Sequence, residues 1–248
     1  MSPASASRPQ QPTDHRAASD AGAAAPGGGS PAPDPARLLQ AEREALVASF
    51  REAGPDAPTL CAGWTTRDLA AHLVVREARP DALPGIALTG TPAEGHTEKV
   101  QSEYARKDWG TLLAQFSRGP APWMPFALPV VGPAINLAEY VVHHEDVRRA
   151  VPGWAVRRDE ALQQAVWRTL VRAGRLTHRK SPVGVVLVAP GIGRTAAKRP
   201  PEGRGTVVLT GEPVELLLFS FGRESVARVE LSGDPADVEA LRSHRRAL

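Results

Sequence analysis

The stretch "LAEYVVHHEDVRRA", residues 137–150, carries five carboxylate and imidazole side chains close together: Glu139, His143, His144, Glu145 and Asp146. Its spacing predicts a helix that opens at Pro133 and runs to about Val151; proline suits a first helical position, where its missing N–H is not needed. Glu139 and His143 are four residues apart, so they project from one face about 40° from each other. His143 and His144 point about 100° apart and do not share one task. A carboxylate and an imidazole on one face are a standard way for a helix to supply two metal ligands. Oxygen and neutral imidazole nitrogen together suit zinc or a similar divalent ion.

A catalytic site of that kind needs a third protein ligand and an open position. His72 in "CAGWTTRDLAAHLVVREARP" is the candidate. Thr65 and Asp68 have the spacing of a capping box, which starts a helix there. His72 is flanked on it by Leu69, Leu73 and Val74 and so faces inward. Each residue also has a plainer reading. A single buried histidine is usually a hydrogen-bonded core residue, and Glu139 with His143 could be a helix-surface pair. Two helices that both turn ligand types inward favour the metal. His144 faces off the Glu139 stripe, as a supporting or surface residue. Asp146, one turn beyond His143, could accept its remaining N–H or pair on the surface with Arg149 or Arg76.

The bulk numbers exclude several classes. The 248 residues are 42% hydrophobic, enough for a globular core, and the formal charge is only +3. A pI of about 9.4 then reflects a slight excess of base, not a nucleic-acid-binding surface; the basic end "LRSHRRAL" (241–248) has no recognition motif beside it. Cys61 is the only cysteine. It excludes an intramolecular disulfide and a thiolate zinc cluster, and it favours a reducing cytoplasm. Cys61 reads as a small packing residue with no base beside it. No apolar run reaches the roughly 20 residues of a membrane span, and no signal-peptide apolar region is evident.

Residues 1–34 are rich in Ala, Pro, Ser and Gly and read as a disordered tail. Helices are predicted from Pro35 to Gly54 with Asp34 as N-cap, from about Thr65, over 97–118, and over 133–151. After "PGW" (152–154) the texture changes. "RRDEALQQAVWRTLVRAGRLTHR" and "EPVELLLFSFG" read as helices; "VGVVLVAP", "GTVVLTG" and "VARVELSG" read as strands; "DPADVEALRSHR" closes the chain as a helix. "APGIGRTAAKR" lacks a third glycine and reads as a hairpin or loop, not a phosphate loop. His96, His178 and His244 lie in polar sequence without an acid or histidine at ligand spacing. The expected organisation is a tail, 1–34, an all-α domain, 35–151, and a small α+β domain, 155–246.

"GWTTRDLAAHL" (63–73) and "AEYVVHHEDVRR" (138–149) resemble the metal-binding half of the mycothiol-dependent maleylpyruvate isomerases and their DinB-like relatives. "VVLTGEPVELLLFSFGRESVARVELSGDP" (207–235) resembles the smaller C-terminal domain of that family. The closest resemblance is to an actinobacterial branch described as metal-binding proteins. The resemblance implies a DinB-like four-helix bundle followed by a sterol-carrier-like α+β domain. It implies one divalent ion, zinc by preference, on His72, Glu139 and His143, with Arg223 of "FGRES" as the catalytic arginine reaching in from the C-terminal domain. It also implies mycothiol as a thiol cosubstrate.

The expected function is therefore that of a cytoplasmic divalent-metal-binding protein, a thiol-dependent transferase or isomerase of a small molecule, acting as a monomer or homodimer without nucleic-acid or membrane partners. The alternatives are a metal-dependent hydrolase, or a non-catalytic metal- or small-molecule-binding module with Trp123, Phe126 and Trp154 lining a cavity.

Overall fold

The computed structural model describes residues 34–87, 90–127 and 132–244. The tail expected over 1–34 lies outside them, apart from Asp34. That residue caps the first helix, α1 (Pro35–Ala53), by accepting from the Ala36 N–H at 3.0 Å. Gly54 at φ 79° stops α1, in a conformation that costs glycine little. Thr65 and Asp68 form the capping box of α2 (Thr66–Ala78). After the short α3 (Leu83–Ala87), the single helix expected over 97–118 is in fact two, α4 (Pro92–Ala105) and α5 (Trp109–Ser117). Asp108 is the reason: its side chain accepts from the Thr111 N–H at 2.9 Å and caps a new start. Then α6 runs from Gly132 to Arg148, and α7 from Glu160 to Thr177.

The strands are β1 (Gly184–Ala189), β2 (Gly193–Lys198), β3 (Thr206–Thr210) and β4 (Glu230–Ser232). They form one sheet in the order β2-β1-β3-β4, with β1 and β3 parallel and both edges antiparallel. The stretch at 189–199 proves to be the β1–β2 hairpin. Its second strand is "GRTAAK", too short of β-branched residues to read as a strand alone. The expected strand over 226–233 shrinks to β4. Helices α8 (Pro213–Ser220) and α9 (Pro235–Ser243) complete the chain.

Two large clusters of buried side chains hold the described residues together, beside a small one of Val75, Ala82 and Val100. One contains Leu46, Phe50, Leu69, Leu73, Leu112 and Phe116. Truncating either phenylalanine to alanine costs about 3–5 kcal/mol. The other joins α7, the sheet and α8 through Leu170, Leu187, Leu209 and Leu217. Helix α6 serves both: Tyr140 and Val147 belong to the first, Leu137, Val141 and Val142 to the second. Nearly all of α6 is buried as a result, including His143, His144, Glu145 and Asp146. A buried charge is costly unless paired, so each of these must find a partner. No described helix is long and apolar enough to cross a membrane.

Candidate metal centre

The capping box starts α2 in a phase that sends Leu69 and Leu73 into the core and leaves His72 beside them. His72 Nε2 lies 3.2 Å from Glu139 Oε1 on α6, and His143 Nε2 lies 3.2 Å from the same oxygen. The two imidazole rings meet edge to face at 5.4 Å. One ligand atom from each residue falls within 4.8 Å of the others. A tetrahedral ion with bonds near 2.0–2.1 Å holds neighbouring donors about 3.3 Å apart. The donor set and its spacing therefore fit one divalent ion, and the same distances serve as hydrogen bonds when the rings carry protons. Both histidines are buried, but the Glu139 side chain keeps 19% of its surface, so the cluster opens to solvent on that side.

Charged neighbours set the protonation. Burial alone would raise the Glu139 carboxyl; the Arg76 guanidinium, with hydrogen bonds from His143 and His72, outweighs it and holds the group well below the usual range. Arg76 Nε is 3.5 Å from Glu139 Oε1; the guanidinium also donates to Asn136 and lies 4.0 Å from the Phe126 ring centroid. For His72, burial is the largest effect and pushes it down. Burial opposes the charge on His143 as well, but Asp146, Cys61 and Glu139 bond it and push it well up. Trp64 covers His72, with ring centroids 5.2 Å apart.

Asp146 is fully buried and accepts from His143 Nδ1 at 2.8 Å. That bond leaves Nε2 for the cluster, the arrangement that orients a ligating histidine. Arg223, just beyond α8, grips Asp146 in two-pronged fashion, Nε to Oδ1 at 2.9 Å and Nη2 to Oδ2 at 2.7 Å. Cys61 belongs here too: its thiol donates to Asp146 Oδ2 at 3.2 Å, and Arg223 Nη2 reaches its sulfur at 3.5 Å. The expectation that Cys61 has only packing neighbours is thus corrected, and of the two readings of Asp146, partner of the His143 N–H or surface partner, the first is the one seen. A bond from the Leu60 N–H to the Asp146 carbonyl docks the Cys61 loop on α6. Cys61, His143 and Asp146 also converge as possible metal donors. Arg223 already supplies the positive charge against two of them, so the group of His72, Glu139 and His143 is the better cation site.

Other expectations change. His144 is not at the surface. It is buried, with Nδ1 2.8 Å from Glu42 and Nε2 2.9 Å from Ser49, while Arg157 clamps Glu42 at 2.6 Å. His178, read as polar surroundings, is buried with Nε2 2.9 Å from Ser220 Oγ. His96 pairs with Asp81 at 2.8 Å on the surface. Arg149 and Arg228 lie over the Trp154 ring. Trp123 does line a cavity of about 390 Å³, with Val74, Gln115 and Pro120. No short-range signal could have paired Cys61 with Arg223, 162 positions away.

Fold and site together define a class: a helical protein with a buried His-Glu-His cluster on two helices, joined to a small α+β unit. Residues 36–148 match the family described as the mycothiol maleylpyruvate isomerase N-terminal domain. Two solved structures share its fold, those of a mycothiol-dependent maleylpyruvate isomerase and of a histidine-to-alanine mutant. Each is 15% identical and covers 80% of this chain and 91% of its own, with TM-scores of 0.52 for the isomerase and 0.53 for the mutant. No curated protein matches the chain by sequence.

Proposed function

We propose that this protein binds one divalent metal ion, zinc by preference, through His72, Glu139 and His143, and uses it in a thiol-dependent isomerisation or S-transfer on a small molecule, with mycothiol as the cosubstrate. The convergence of two Nε2 atoms on Glu139 Oε1, each at 3.2 Å, carries this reading. Mycothiol enters through the family match over 36–148 and through the isomerase that shares the fold.

The charges around the cluster support an anionic cosubstrate. The carboxylates of Glu139 and Asp146 are offset by the guanidinium groups of Arg76 and Arg223. With both imidazoles neutral, the surroundings carry no net charge, and a divalent ion keeps its full double charge in a half-dry pocket. That favours a thiolate or another anion on the exposed side of Glu139. Such an ion would lower the pKa of a bound thiol and polarise a substrate carbonyl. The chain's own residues prepare for it: Arg76 keeps Glu139 ionised, Asp146 holds the His143 Nδ1 proton, and Trp64 shields His72 from water.

The test is metal content of the purified protein beside His72→Ala and Glu139→Ala. The expected result is about one ion per chain in the wild type, lost in both variants, and an activity that appears only when mycothiol is added. A wild type that takes up no zinc would overturn the metal reading. Turnover of a substrate without any thiol would overturn the thiol requirement and leave hydrolysis.

A further inference from the structure

We propose that Arg223 is a positioning residue for the metal centre, not a substrate contact: it clamps Asp146, which in turn aims His143 at the cluster. The inference rests on the metal reading above. Asp146 is 0% exposed, and three donors converge on its Oδ2, from His143, Cys61 and Arg223. A carboxylate held by a single donor could still turn about its Cβ–Cγ bond. The paired bonds from Arg223 Nε and Nη2 fix its plane, as a planar guanidinium fork does. With that plane fixed, Oδ2 stays on the His143 Nδ1 proton.

Arg223 is itself built in. Its third nitrogen, Nη1, donates to the Phe221 carbonyl at 2.7 Å. Its backbone N–H returns to the Leu218 carbonyl at 2.9 Å, after a turn made by Gly222 at φ 79°. The chain just beyond is anchored to the end of α6 by a bond from Arg149, the residue that follows that helix, to the Val226 carbonyl at 2.8 Å. All three guanidinium nitrogens therefore have partners within the protein. This is the environment of a brace, and the helical bundle depends on the α+β part to complete its own ligand geometry.

The experiment measures zinc affinity of the full chain by chelator competition, together with the far-downfield proton NMR signal of the His143 Nδ1–H. Variants are Arg223→Ala, Arg223→Lys, Asp146→Asn and the double variant Asp146→Asn/Arg223→Gln, which leaves no unpaired buried charge. Arg223→Ala and Asp146→Asn are each expected to weaken zinc binding by about 10–100-fold. The double variant is expected to be no worse than Asp146→Asn, because the two act in series. The Nδ1 proton signal is expected to shift or vanish in Arg223→Ala. Wild-type affinity and an unchanged signal in Arg223→Ala would overturn the proposal. So would full recovery in Arg223→Lys, since a point charge neutralises Asp146 without fixing its plane. If the wild type takes no zinc, the metal reading fails, and the proton signal alone decides the clamp: a shift in Arg223→Ala supports it and no shift overturns it.

Discussion

Glu42 shows how single residues here are governed by their neighbours. It is buried between Arg157 and His144. Burial would raise its carboxyl, but hydrogen bonds from Arg157 and His144 lower it from 4.5 to about 2. A depressed carboxyl contributes stability that is fully present above its unfolded pKa and is lost as pH falls through its folded one. The window is therefore from pH 4.5 down to about 2, and the shift corresponds to about 3 kcal/mol. Urea midpoints at pH 6, 4 and 3 should fall steeply for the wild type and much less for Glu42→Gln. Parallel curves for the two would refute this assignment. Glu139 and Asp146 obey the same logic beside Arg76 and Arg223. Glu139, His143 and His72 were legible as a candidate set because helical spacing and apolar flanks are local. Cys61 was not, because its partners come from distant parts of the chain.

At the scale of elements, the phase of α2 decides where His72 points. Thr65 accepts from the Asp68 N–H, and Asp68 accepts from the Thr65 N–H at 2.9 Å. Removing this cap by Thr65→Ala should cost about 1 kcal/mol of stability, with Thr65→Ser recovering most of it, as read from thermal unfolding. Equal stability of Thr65→Ala and wild type would show that packing alone sets the helix start. The break between α4 and α5 rests on Asp108, a cap that the apolar periodicity of 97–118 concealed. The burial of α6 on nearly all sides was not legible either. Its sequence is too polar to read as a central helix, and the pairing of His144 with Glu42, of Glu145 with Arg149 and of Asp146 with Arg223 makes that position tolerable.

For the whole molecule, Arg149, directly after α6, ties the end of that helix to the α+β part. It is 4% exposed, bonds Glu145 at 2.5 Å and Glu215 at 2.6 Å, and reaches the Val226 carbonyl. Arg149→Leu leaves the Glu215 carboxylate buried without its guanidinium and should cost about 3–5 kcal/mol, seen as a lower urea midpoint. A change below about 1 kcal/mol would assign the tie to apolar packing instead. Because α6 belongs to both buried clusters, helical content and tryptophan fluorescence should report one shared unfolding transition. Two separated midpoints would show that the two clusters melt independently.

The sequence by itself determined the helices with clear caps, the strands at 184–189 and 206–210, and a His-Glu-His set whose spacing suits a metal. These are consequences of short-range rules: side-chain periodicity, capping hydrogen bonds and proline or glycine stops. Only the tertiary structure decided that Arg223 braces Asp146, that Cys61 joins them, and that His144 closes a buried network with Glu42 and Arg157. Those contacts join segments far apart in the chain. Their geometry follows from how the loop at 59–64, α6 and the turn after α8 meet, and no local pattern encodes where separate elements come to rest.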